Sequence, residues 1–202
     1  RSEEVAAGLS ISGLEASPEA FLEEVDSRSA EGYLFPSTYE LPRDSSPAEL
    51  VAAFMRRLQE QVTPEIQAGF DNQGLNLREG IILASIVERE SILLEEMPLI
   101  ASVFLNRLEV GMTLSADPTV QYALGYNQQQ ETWWTNPLSG ADLQISSPFN
   151  TYQNPGLPPG PICSPGIDAL KAVAFPAETP YFFFRAACDG SGRHSFSRTF
   201  EE

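Results

Sequence analysis

The residue in this sequence best placed to do acid–base chemistry is a carboxylate on the apolar side of a helix. Residues 79–94, EGIILASIVERESILL, have the periodicity of one helix opened by Asn76 with Glu79. At about 100° per residue, Leu83, Ile86, Val87, Leu93 and Leu94 fall within about 60° of Glu90, and Ile82 lies about 80° away. Glu88 lies about 160° round, on nearly the opposite side. A carboxyl at the edge of an apolar core holds its proton to higher pH, because burial penalises the charged form. That is the property of a general acid working near neutrality. The same position also suits a carboxylate paired with an arginine, Arg89 or Arg107.

Cleaving a glycosidic bond needs an acid on the leaving oxygen, and most glycosidases add a second carboxylate as nucleophile or base. Asp117 is the candidate for that role, with Glu88 behind it. Asp117 precedes a proline and a short helical stretch, so it also reads as an N-cap. The spacing alone supplies no convincing second carboxylate.

The elements that must position these groups are mostly helical. Ser17-Pro18, Ser46-Pro47 with Glu49, Thr63-Pro64, Pro98, Asp117-Pro118 and Ser164-Pro165 each mark a helix start. Strand patterns are fewer. Tyr181–Phe184 and His194–Arg198 flank the turn Asp189-Gly190-Ser191-Gly192, and the aromatic stretch 32–41 reads as a further strand. Residues 126–161 form a long loop holding Trp133, Trp134, Phe149, Asn150, Tyr152 and Asn154, a mixture that suits sugar faces and hydroxyls as well as ordinary packing. The predicted class is α+β, with residues 1–30 as the tail of an upstream subdomain and 31–202 as the catalytic unit.

Composition narrows the partners. The 202 residues carry a net charge of −16, which repels phosphate backbones and argues against nucleic acid. No basic patch would hold the chain on an anionic lipid surface, and no run reaches the ~20 apolar residues of a membrane span. Two cysteines, Cys163 and Cys188, with one histidine make no zinc site, so no metal or organic cofactor is expected. The two thiols are expected to be buried, with a disulfide as the alternative. Arg1 is not a natural start, so the chain is expected to come from a longer protein, and the lack of an anchor says little about that protein.

Five motifs occur in order: EGYLFPSTYEL (31–41), LASIVERES (83–91), IASVFLNRLEVGMTLSADPTVQYALG (100–125), SPFNTYQNPGLPPGPICSPGIDALKA (147–172) and DGSGRHSFSRT (189–199). Together they resemble the MltG (YceG-like) family of endolytic murein transglycosylases over roughly residues 31–200. LASIVERES is also similar to the catalytic helix of Slt-type transglycosylases, in which the catalytic Glu is followed by Ser. Glu90-Ser91 matches that pair and Glu88-Arg89 does not.

The resemblance implies a lysozyme/Slt-like catalytic unit with a small antiparallel sheet, preceded by the remnant of a LysM-like subdomain. It implies a lyase acting on peptidoglycan glycan strands. One Glu protonates the oxygen between MurNAc and GlcNAc, then serves as base for the MurNAc C6 hydroxyl that attacks C1, leaving a 1,6-anhydro-MurNAc end. A nucleophilic carboxylate is then unnecessary. Ser91 is expected to orient Glu90 or end its helix, and Gln121, Asn150 and Tyr152 to bond the sugars or brace the loops. His194 is expected to be structural. Leu157-Pro158-Pro159-Gly160 shapes a groove wall or a turn. The parent protein is expected at the extracytoplasmic face of the cell membrane, held by an anchor outside this chain, near peptidoglycan synthases. The sequence departs from the family pattern in lacking the upstream anchor and full LysM-like region, in Trp133-Trp134, and in Cys188. The rival readings are a muramidase-type hydrolase using Asp117 or Glu88, and a non-catalytic peptidoglycan-binding module.

Overall fold

The structure is a computed structural model. It describes residues 1–200; residues 201 and 202, at the end of the expected catalytic unit, lie outside the described residues. Two hydrophobic cores organise the chain. The larger gathers Phe70, Ile81, Leu83, Ile86, Ile100, Phe104 and Leu170. These come from α4 (Pro64–Asn72), α5 (Leu77–Glu90), α6 (Met97–Glu109) and α8 (Ile167–Ala174). At its centre lies α5, whose residues from Gly80 to Val87 are all buried. Asn76 starts it with a reciprocal capping box, its side chain accepting Glu79 N–H while Glu79 accepts Asn76 N–H. Gly80 is required for the packing, because a Cβ there would sit 2.6 Å from the Phe70 ring.

The smaller core joins α1 (Ser2–Ser12), α2 (Pro18–Ser27) and α3 (Pro47–Gln61) through Leu9, Phe21, Val25, Leu50, Val51 and Phe54. Ala30 and Leu34 belong to it too, so this core takes residues from both sides of position 30. Ser17, Ser46 and Thr63 each accept a backbone N–H three residues on, as their positions before Pro predict.

The only sheet among the described residues pairs β1 (Phe183–Ala186) with β2 (His194–Ser197) antiparallel, in the register Phe184↔Phe196 and Ala186↔His194. The architecture is thus α+β and mostly helical. No described helix is long and apolar enough to cross a membrane.

Four local expectations change. Residues 32–41 form no strand. Gly32 turns at φ 85°, with no room for a Cβ against Pro161. Leu34 joins the smaller core and Phe35 the larger, while the Tyr39 hydroxyl donates to Phe35 O at 2.6 Å. Second, α5 stops at Glu90 instead of running to Leu94, because Ser91 is extended (φ −128°, ψ 134°). Leu93 and Leu94 therefore do not continue its apolar face, and Leu94 is exposed. Third, α8 starts at Ile167 with Gly166 as N-cap, not at Ser164-Pro165. The Ser164 hydroxyl is engaged elsewhere, accepting Leu34 N–H at 3.0 Å. Last, both thiols are free, but only Cys163 is buried; Cys188 is exposed beside the hairpin turn at φ 56°.

Candidate active site

The C-terminal end of α5 opens on a cavity of about 270 Å³ lined by Glu90, Arg107, Asp117, Tyr152, Arg185 and His194, with Ser115, Phe184 and Ala186 completing the wall. Glu90 is the last residue of the helix. Ser91 ends it by closing a tight turn, donating its hydroxyl to Leu93 O at 2.9 Å and accepting Leu93 N–H at 3.1 Å. Ser91 is itself buried and outside the cavity lining, so its local role is to stop the helix where Glu90 meets the cavity.

The Glu90 carboxyl makes no hydrogen bond or ion pair among the described residues. Its carboxyl pKa is pushed up to about 8, first by burial, then by the negative charge of Asp117, with Arg107 pulling the other way. Arg107 forms no ion pair with it, and its guanidinium is held by backbone carbonyls and a ring. Nε donates to Phe182 O at 2.6 Å, Nη1 donates to Leu114 O, and the group sits 5.3 Å from the Phe183 ring centre. Arg89, the other arginine weighed as a partner, stacks 3.9 Å over Trp134.

Asp117 lies in the first turn of α7 (Asp117–Leu124), but it is not the cap expected from its sequence. The capping position falls to Ala116, and no side chain closes it. Asp117 Oδ1 instead accepts the Tyr152 hydroxyl at 2.6 Å. That bond, after burial, holds the Tyr152 phenol well above its usual pKa, so Tyr152 stays a donor. Glu88, the other candidate second carboxylate, is outside the cavity; its Oε2 accepts Gly166 N–H at 3.0 Å and ties α5 to the start of α8.

The long loop positions Tyr152 through Asn150. The Asn150 side chain is fully buried, donating to Leu143 O at 3.0 Å and Ile145 O at 2.9 Å, while its Oδ1 accepts Tyr152 N–H at 3.0 Å. Its amide therefore braces the loop beneath the cavity. Gln121 donates to Thr135 O at 2.9 Å and likewise does not line the cavity. Of the polar residues expected to touch a ligand, only Tyr152 is at the wall.

Two wall residues went unnoticed in the sequence as site groups. Arg185 was not singled out, and His194 was assigned a structural place. The available signal was the hairpin pattern, which sets Ala186 opposite His194 and so brings both strands to the end of α5. Among the described residues, no group of three or more His, Cys, Asp or Glu could hold a metal ion.

The arrangement can donate a proton near neutral pH from an unpaired carboxyl, with a second acid, a phenol donor and an imidazole around it. The sequence profile of the YceG-like family matches residues 1–202. An endolytic murein transglycosylase of Bacillus subtilis is 34% identical over 173 residues, covering 85% of this chain and 45% of that protein. One from Streptococcus pneumoniae is 32% identical over 156 residues, 77% of this chain and 28% of that one. The chain thus spans less than half the length of these curated relatives. A crystal structure of a yceG-like protein from Listeria monocytogenes superposes with a TM-score of 0.75 at 30% identity, covering 91% of this chain and 62% of that one. With the full length matched by the profile, the chain belongs to the YceG-like family.

Proposed function

We propose that this chain is a peptidoglycan lytic transglycosylase, cutting the MurNAc–GlcNAc bond within glycan strands, with Glu90 as its acid and then its base. The observation that carries the reading is the unpaired Glu90 carboxyl, protonated up to about pH 8 at the wall of the cavity. A protonated carboxyl can give its proton to the glycosidic oxygen as the C1–O bond breaks. The resulting carboxylate then takes the proton of the C6 hydroxyl, whose oxygen closes on C1. This returns the acid to its starting state and consumes no water. The α5 helix with its Glu90-Ser91 end is read as the counterpart of the Slt-type catalytic helix. The native setting is proposed to be the outer face of the cytoplasmic membrane, close to peptidoglycan synthesis.

Asp117 keeps a second reading open, because it lines the same cavity as Glu90. In that reading it is the base of a muramidase-type hydrolase. Mass spectrometry of purified glycan strands after digestion separates the two. The transglycosylase leaves 1,6-anhydro-MurNAc ends and Glu90→Gln leaves none. Reducing MurNAc ends mean hydrolysis, and binding without cleavage by the wild type means a non-catalytic module.

A further inference from the structure

We infer that His194 is a further substrate-contact residue of this cavity, a fixed hydrogen-bond acceptor held in place by the buried carboxylate of Glu96. The inference rests on the cavity being the glycan site. Glu96 lies at the start of α6 with its side chain only 5% exposed. It accepts the His194 backbone N–H at 3.2 and 3.1 Å through its two oxygens, and its Oε2 stands 2.8 Å from His194 Nδ1. A carboxylate that accepts the backbone N–H is the acceptor for the ring as well, so in the neutral imidazole Nδ1 carries the proton and Nε2 keeps its lone pair.

Two phenylalanine rings pack against the imidazole. Phe184 meets it edge-on at 5.5 Å and Phe196 flanks it at 6.4 Å. Outside the pair, Arg193 Nη2 bonds Glu95 at 2.7 Å and pins the hairpin to the turn before α6. Nε2 has no hydrogen-bond partner among the described residues, yet His194 lines the cavity with Glu90. The carbonyls around the cavity that Arg107 binds are already engaged. While Glu90 is protonated it is a donor toward a ligand, and Tyr152 donates to Asp117. His194 thus adds an acceptor on the hairpin side of the wall, in addition to Asp117, whose Oδ1 Tyr152 already occupies, and it is matched to the chemistry of sugar hydroxyls and acetamido N–H groups. Glu96 is the positioning residue. It fixes the tautomer and orientation of a ring that does the touching, as carboxylate–histidine pairs do elsewhere.

The test is steady-state release of anhydro ends from glycan strands by wild type, His194→Phe, Glu96→Gln and the double variant, each checked for folding by thermal melting. His194→Phe keeps the ring packing on Phe184 and Phe196 and removes both nitrogens. It should raise KM about three- to tenfold with kcat within about twofold, the size of one lost hydrogen bond. Glu96→Gln should raise KM less, and should add nothing in the His194→Phe background, because Glu96 acts through the ring. If His194→Phe fails to fold, His194→Asn, which keeps an N–H for Glu96 near the Nδ1 position and has no atom at Nε2, must show the same rise in KM. An unmoved KM in a folded His194 variant overturns the contact. A Glu96→Gln effect that persists without the imidazole overturns the positioning role. A wild type that makes no anhydro ends sinks the glycan reading itself, a result distinct from either of these.

Discussion

The two ends of α5 carry two very different hollows. At the N-terminal end lies a broad groove of about 990 Å³, walled by Asn76, Arg78, Glu79, Asn106, Leu157 and Pro158 among others. At the C-terminal end lies the cavity of about 270 Å³ around Glu90. Size favours the first and chemistry the second. In the groove Arg78, Glu79 and Asn106 are engaged in building the fold. Arg78 donates to Pro159 O at 2.7 Å, Glu79 closes the capping box, and Asn106 donates to Thr179 O and Tyr181 O. In the cavity a carboxyl is left unpaired beside a second acid, at a cost to stability. A group held away from its relaxed state at the mouth of a cavity is a better mark of function than volume.

The sharpest way to break this contrast is to remove the carboxyl. Glu90→Gln should lower the rate of strand cleavage by about a thousandfold or more at pH 7, as loss of a general acid–base does. If cleavage persists, the small cavity is structural. A step smaller, Asp117→Asn removes the neighbouring charge that helps raise the Glu90 pKa. In the proposed reaction the protonated acid is the active form, so a lower pKa moves the alkaline limb of the rate profile to lower pH. The rate should fall roughly three- to tenfold at pH 8 and little at pH 6. A loss of equal depth at both pH values would instead give Asp117 a direct part in the reaction and revive the hydrolase reading.

How much of this was legible beforehand depends on the range of the interactions. The apolar setting of Glu90 was legible because helical periodicity is local, and Leu83, Ile86 and Val87 are fully buried on its face. The caps at Ser17, Ser46, Thr63 and Asn76 were legible for the same reason. The failures are contacts between distant segments. Nothing near Asp117 announces that Tyr152, 35 residues on, will take its oxygen in place of the helix N-terminus. Nothing near His194 announces Glu96, 98 residues back. Asn150 illustrates the converse. Its type suits a sugar, but a loop with few regular elements must bond its carbonyls to something, and the Asn150 amide meets that need.

The same comparison predicts opposite stability effects at the two ends. The Glu90 pKa in the folded chain is about 8 against an ordinary 4.5, so the folded state binds the extra proton between those values. The contribution of Glu90 is fully present below about pH 4.5 and is lost as pH rises through about 8. Glu90→Gln does not titrate. It should therefore melt near the wild type around pH 4.5 and higher by roughly 2 °C or more at about pH 9. Equal melting temperatures across that range would mean that Glu90 is not held protonated by burial.

At the other end, Asn76→Ala removes a cap and touches no reacting group. Its side chain accepts Glu79 N–H at 3.1 Å, and the reciprocal bond from Asn76 N–H to Glu79 survives the substitution. The expected cost is about 1 kcal/mol, or roughly 2–4 °C in melting temperature for a chain of this size. It should be independent of pH across the range where Glu90 titrates, and kcat and KM at a temperature well below the melt should match the wild type. The variant tests the larger hollow directly, since Asn76 is part of its wall. If Asn76→Ala slows cleavage while the protein remains folded, strand binding extends the length of α5, and the groove is a distant part of the same site. If only the melting temperature moves, the groove records how the helix is anchored, and the reaction is confined to the end where Glu90 meets the hairpin.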